Sequence, residues 1–425
     1  QWSQRAVQGD EEAHAQLSQF LQQSDAATLR DVARAFGHFL SLANIAEQYH
    51  PIRLRRTGVL PAAADGMREM LKRALAHGVS REAILAAVRQ LDIELVLTAH
   101  PTEVTRRTLM QKQDEIAQIL AHMHETQLTA SERKGEWERL RRRVVAAWET
   151  DEIRGQRPTP VDEAKWGFAT VENSLWKALP ACLREFDECL RDVLGEGLPL
   201  SAAPVRMGSW MGGDRDGNPF VTHQVTAEVI LLARWMACDL YLRDIDTLRA
   251  ELSLSRCGDA LRARVGDASR EPYRDWLKQV RSRLQATQAA ALAALGQADA
   301  ALQAEAGDAL AYDSGDEFLA DMQLCHDDLT AAGLTLLCEG GLSDNLRRIS
   351  VFGFGLMRLD IRQESARHVD ALAAITRYLG LGDYSVWDEA RRQQFLLQEL
   401  ASPRPLLPLF HRLRPRRPRH HHRSH

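Results

Sequence analysis

No stretch of this sequence is apolar over the roughly 20 residues a helix needs to cross a bilayer, which argues against a membrane-spanning protein. The chain opens QWSQRAVQGDEEAHAQ, without a basic segment leading into an apolar one, so no secretory signal is expected. It also lacks an initiator methionine, which suggests that residues precede Gln1. Among the six cysteines (182, 189, 238, 257, 325 and 338) there is no C-x-x-C pair, and several sit inside apolar helical patterns. That excludes a zinc ribbon or a disulfide framework and predicts reduced thiols in the cytoplasm. Lysine is scarce, six among 54 basic residues, a bias that codon usage in a GC-rich genome explains. A formal charge of −4 leaves no basic excess to recruit nucleic acid or an anionic membrane.

What the chain does have is helical periodicity. Its 425 residues suggest two or three domains at about 150 residues each. Leu29, Val32, Ala33, Phe36, Phe39, Leu40 and Ala43 recur at three- and four-residue spacing and are expected on one core-facing stripe. Met67–Ala76 reads as a helix stopping at Gly78, and Ser80 as the cap of another reaching Leu91. Further helices are expected near 111–124, 136–150, 162–195, 226–252, 273–295 and 315–332. The alanine-rich stretch 286–311 reads as helix, loop and helix on the outside.

Three segments break this pattern: IELVLT (93–98), PVRMGSW (204–210) and SVFGFGLMRLDI (350–361). Each is short and apolar or β-branched, and each runs into a polar cluster. Strands that deliver polar residues at their carboxyl ends, with long helices between, predict an α/β fold with parallel strands presenting one site.

The polar clusters differ in weight. His100 follows the first strand, Pro101 fixes the chain beyond it, and Thr102 can cap a helix that carries Arg106 and Arg107 in its first turns. A helix N-terminus with two guanidinium groups favours phosphate, and a neighbouring histidine can move a proton near neutral pH. The plain alternative is a histidine bonded to a nearby carbonyl. In MGGDRDGNPF (211–220), Gly212, Gly213 and Gly217 permit turns while Asp214, Arg215, Asp216 and Asn218 crowd polar groups together. A solvated turn would seldom follow an apolar SWM, and the acid that closes a calcium loop is missing. In RLDIRQESARH (358–368), Asp360 and Arg362 could form a structural ion pair or belong to a site.

Taken together, LTAHPTE with TRRT, GSWMGGDRDGNP and LDIRQES resemble the amino-terminal half of bacterial phosphoenolpyruvate carboxylases. ARAFGHFLSLANIAEQYH (33–50) and TDEIRGQRPTPVDEAKWGFATVENSLW (150–176) resemble the same family, and the similarity covers residues 1–408 in order. The resemblance implies a predominantly α-helical elaboration of a β/α (TIM-like) barrel, of which the first few strands are present. It implies addition of bicarbonate to phosphoenolpyruvate, giving oxaloacetate and phosphate with Mg²⁺ or Mn²⁺, an anaplerotic step in the cytoplasm. By resemblance His100 is the catalytic histidine, Arg362 holds the substrate phosphate, and Trp210 walls the dry pocket for CO₂. Gly212, Gly213 and Arg215 belong to the same loop. Arg106, Arg107 and Arg154 match a sugar-phosphate activator site, the alternative being simple pairing with helix acids. The family implies a homotetramer, with no nucleic-acid or membrane partner.

The resemblance stops at Pro408. The last 17 residues, LFHRLRPRRPRHHHRSH, carry six arginines, five histidines and no acid. They read as a disordered tail translated out of frame, the rivals being a nucleic-acid tail or a metal-binding histidine tract. The family's metal ligands and most of its barrel would then lie outside this chain, and the polypeptide alone is expected to be inactive. A different class remains open: a non-catalytic module that binds a phosphorylated ligand for regulation.

Overall fold

A computed structural model describes residues 9–60, 63–98, 107–125, 127–150, 158–216, 218–297 and 307–403, with residues 5, 299, 302–304, 405 and 406 beside them. The chain is a mostly helical α/β protein with one three-stranded parallel sheet, and it divides into two compact units.

One unit is helical. It takes Gln1–Leu91, His100–Pro158 and Asn173–Pro204. Several of its helices start where side chains satisfy free backbone N–H groups. Ser80 accepts from Ala83 to open Arg81–Arg89, and Thr129 and Glu132 bond reciprocally at the head of Ala130–Trp148. Ile45, Ile116, Ile119, Met123 and Leu140 form its core, where the Ala26–Arg56, Arg107–Glu125 and Ala130–Trp148 helices meet.

The long Ala26–Arg56 helix turns a different face inward from the one its spacing predicts. The inner face carries Arg34, His38, Leu42 and Ile45. Arg34 donates to the carbonyls of Trp148 and Thr150, and its guanidinium lies 5.1 Å from the Trp148 ring centre. Those hydrogen bonds and the stacking outweigh the hydrophobic count, because bonding to a charged donor and a cation–π contact both reward this orientation. Phe36 and Phe39 are left 62% and 64% exposed, with Val32 and Leu40 beside them. An apolar stripe of that kind is adhesive. The Phe36→Ser/Phe39→Ser double variant is expected to reduce self-association in sedimentation velocity while moving the unfolding midpoint little.

The other unit holds Asp92 to the end of β1, Thr159–Glu172 and everything from Val205. Strands β1 (Ile93–Leu97), β2 (Val205–Ser209) and β3 (Arg358–Leu359) lie parallel in that order. The β1–β2 register runs from Ile93 opposite Val205 to Leu97 opposite Ser209, and Ser209 in turn faces Leu359. Long helices follow, His223–Glu251 packing on Pro272–Ala294 and Gly315–Ala331 on Gly341–Phe352. Tyr241, Tyr273, Leu277, Tyr312 and Phe318 are fully buried there. The alanine-rich segment ends the Pro272–Ala294 helix, passes through a turn and is helical again at 302–304; it departs from expectation in that its first part faces inward. Thr287, Gln288, Ala289 and Ala291 are buried, and Thr287 accepts from the Tyr312 amide at 2.8 Å.

The third expected strand is shorter than its apolar run suggests. Ser350, Val351 and Phe352 are the last turn of a helix, which Gly353 ends at φ +51°, leaving only Arg358 and Leu359 as strand. The aromatic cluster decides this. Phe354 stacks on Phe318 at 5.8 Å, and the Tyr241 hydroxyl donates to the Gly353 carbonyl at 2.9 Å, drawing the segment into the helical layer. β1 is an edge strand on which Ile93, Leu95 and Val96 are exposed.

Burial also sorts the thiols. Removal from water pushes the Cys238 thiol up to about 12 and raises Cys325 as well, whereas Cys182 is exposed. A disulfide reagent at pH 8 should label Cys182 quickly, and Cys238 and Cys325 only after denaturation. Rapid labelling of Cys238 in the native chain would contradict this packing.

Candidate active site

Three parallel strands end at one edge of the sheet, and every strand-end residue described here is delivered there. The β1–β2 ladder continues one step beyond the strands, since the Trp210 amide donates to the Leu97 carbonyl at 3.0 Å. The chain then turns sharply. The amides of Gly213 and Asp214 both donate to the Trp210 carbonyl, with Gly212 at φ +83°. A side chain at Gly212 would be strained by that conformation and would also meet Val229 at 2.7 Å.

After the turn the loop pairs with the chain leaving β3. Arg362 donates its amide to the Gly213 carbonyl at 3.1 Å, and Arg215 donates its own to the Arg362 carbonyl at 2.9 Å. Gly213 makes this possible, because a Cβ there would run into the carbonyl oxygen of Asp360. The backbone thus seats Arg362 beside Trp210 across a separation of about 150 residues.

The side chains continue this arrangement. The Arg362 guanidinium carbon sits 4.6 Å from the Trp210 ring centre, and its Nη1 is 3.5 Å from Asp214 Oδ2. The indole Nε1 of Trp210 donates to Asp360 Oδ2 at 3.1 Å. The suggested Asp360–Arg362 ion pair is therefore replaced: Asp214 takes the arginine and Asp360 takes the indole. Arg362 remains 45% exposed, so its other N–H groups are open to an incoming anion.

Arg215 is placed differently from Arg362. Its Nη2 donates to Thr226 Oγ1 at 3.0 Å, and that hydroxyl donates to the Gly212 carbonyl at 2.9 Å, which braces the glycine turn against the His223–Glu251 helix. Arg215, Thr222, His223 and Arg367 also line an open cleft of about 510 Å³. Trp210, Gly212, Gly213 and Arg362 are thus gathered directly, with Arg215 supporting the turn. Sequence reasoning missed Thr226. Its only signal is a hydroxyl four residues after the Thr222 cap.

His100, Arg106 and Arg154 lie outside the described residues, as does Gly217 of the glycine loop. Arg107 opens the Arg107–Glu125 helix, where its backbone alone is described. Among the described residues no group of three His, Cys, Asp or Glu is placed to hold a metal ion. Two carboxylates at this edge are already engaged, Asp214 by Arg362 and Asp360 by Trp210, so the donor set does not fit Mg²⁺.

A family profile described as phosphoenolpyruvate carboxylase matches residues 1–417. The chain belongs to the phosphoenolpyruvate carboxylase family. It is 54% identical over 394 residues to the phosphoenolpyruvate carboxylase of Pseudomonas entomophila (strain L48), covering 92% of this chain and 44% of the relative. Against the Pseudomonas aeruginosa enzyme it is 52% identical over 409 residues, covering 95% and 45%. The Acinetobacter baumannii enzyme is 47% identical over 411 residues, with the same coverages. The chain therefore spans a little under half the length of the carboxylases it matches. Among the described residues no helix is long and apolar enough to cross a membrane.

Proposed function

We propose that this chain supplies the phosphate-holding and proton-moving side of a phosphoenolpyruvate carboxylase active site. The observation that carries the reading is Arg362, held at the carboxyl edge between the face of Trp210 and the carboxylate of Asp214, with guanidinium N–H groups still open. A planar fork fixed in that way suits a phosphate, whose oxygens it can meet two at a time.

In the proposed reaction bicarbonate oxygen attacks the phosphorus of phosphoenolpyruvate, and the enolate leaves. The products of that step are carboxyphosphate and the enolate of pyruvate. Arg362 offsets the charge on the transferring phosphoryl group, so its contribution is positioning and electrostatics. His100, three residues beyond β1, deprotonates carboxyphosphate so that it collapses to CO₂ and phosphate. The enolate carbon then attacks CO₂ to give oxaloacetate. The Trp210 ring walls that pocket, because water reaching the enolate would protonate it to pyruvate. Gly212, Gly213 and Arg215 hold the loop that carries it. The family's divalent cation, Mg²⁺ or Mn²⁺, supplies electrophilic charge when bound, and we place its ligands outside the described residues.

The wider reading follows from the family. The parallel sheet is the start of a β/α barrel, and Arg106, Arg107 and Arg154 bind a sugar-phosphate activator. The whole enzyme is a cytoplasmic homotetramer replenishing oxaloacetate. Residues 409–425 lie outside the described residues, and the family profile continues to residue 417.

The test joins this chain to the part of the Pseudomonas entomophila enzyme that it does not match, by co-expression, and follows oxaloacetate with malate dehydrogenase and NADH. The pair is expected to turn over and this chain alone is not. Turnover by the chain alone, or none by a soluble and associated pair, would contradict the proposal.

A further inference from the structure

We propose that Asp360 is a positioning residue: its carboxylate holds the Trp210 indole so that the ring is a fixed platform for the Arg362 guanidinium. The meaning of this arrangement for catalysis rests on the function proposed above, but the arrangement itself does not.

Arg362 is gripped weakly by its carboxylate. The contact to Asp214 is single and long at 3.5 Å, and the arginine side chain is 45% exposed. Exposed ion pairs of this kind leave long side chains mobile. The second grip is the face of Trp210 at 4.6 Å. An indole can offer that face only if its own two side-chain torsions are set, since the ring quadrupole attracts a cation above the ring and not at its edge.

The structure provides one lock for those torsions. The Trp210 Nε1–H donates to Asp360 at 3.1 Å, a charge-assisted bond. Asp360 is itself fixed, because its amide donates to the Ser209 carbonyl at 2.9 Å, the residue just before Trp210. One carboxylate thus ties the end of β3 to the ring that follows β2. Asp360 reaches the phosphate-binding group only through Trp210, which distinguishes it from Asp214.

The test uses the full 425-residue chain with ¹⁵N labelling. Trp210→Phe identifies the Trp210 indole N–H resonance and Arg362→Lys identifies the Arg362 Nε–H resonance. Asp360→Ala is expected to move both, the first by loss of its acceptor and the second by loss of the ring current. Asp360→Asn, which keeps a carbonyl acceptor, should leave both near their parental positions and guards against a trivial folding failure. In titrations with phosphoenolpyruvate, Asp360→Ala should weaken binding by about fivefold, the scale of an exposed cation–π contact. In a Trp210→Phe background it should add nothing.

An unmoved Arg362 resonance in Asp360→Ala would overturn the proposal. So would an equal loss of binding with and without Trp210, or Asp360→Asn matching Asp360→Ala. If the parent chain binds no phosphoenolpyruvate, the functional reading of the site fails, while the two resonances still decide the role of Asp360.

Discussion

Replacing Arg362 with glutamine is expected to weaken phosphoenolpyruvate binding by about 30-fold or more. A charged hydrogen-bonding group contributes about 1.5–3 kcal/mol, and a bidentate contact lies at the upper end of that range. Among the described strand-end residues, Arg362 has both the charge and the open N–H groups for this task. Asp214 would lose its partner but is partly exposed, so water can take over its hydrogen bonds. The fold should then survive, and the loss should appear in calorimetric titration rather than in unfolding. Arg362→Lys keeps the charge and loses the fork, so it should fall between the parent and the glutamine variant. Pyruvate, which lacks the phosphate, is the control: its weak binding should not respond to Arg362.

Gly213→Ala should be the most disruptive single methyl in the strand-bearing unit. The added carbon meets the carbonyl oxygen of Asp360, a backbone atom that cannot rotate away. The loop would have to lift from the chain after β3, breaking the Gly213–Arg362 and Arg215–Arg362 backbone bonds. Loss of two such bonds together with overpacking is expected to cost about 3 kcal/mol, measured as a drop in the urea midpoint. Phosphoenolpyruvate binding should fall with it, because the same bonds seat Arg362. Gly135→Ala is the contrast. Gly135 lies inside the Ala130–Trp148 helix with open space around it, so alanine there should be neutral or stabilise by up to about 1 kcal/mol.

These two positions also show what local sequence could reveal. The glycines, the tryptophan and the arginine announced a site because polar clusters followed short apolar runs, and the parallel sheet does gather them at its carboxyl edge. Helix ends were legible where a single residue marks them, as at Ser80 and at Gly78 with φ +85°. The partner of Arg362 was not legible. Asp360 is near in sequence, but Asp214 arrives through a strand pairing that no local pattern encodes. Ser350–Phe352 misled for a related reason: a short apolar run fits a strand or a buried helix turn equally, and the contacts of Phe354 and Tyr241 decide between them. The inner face of Ala26–Arg56 was misjudged because Arg34 bonds to carbonyls more than 110 residues away, which hydrophobic spacing cannot anticipate.

We propose that the strand ends of this chain carry one carboxylation site in which His100 moves the proton. The most direct measurement is oxaloacetate formation by this chain paired with the unmatched part of the Pseudomonas enzyme, with His100 and with His100→Ala. Loss of a positioned base is expected to slow turnover by roughly 10²–10⁴-fold. Phosphoenolpyruvate binding, which depends on Arg362, should be retained. A His100→Ala pair that forms oxaloacetate within twofold of its parent would rule out that role for His100.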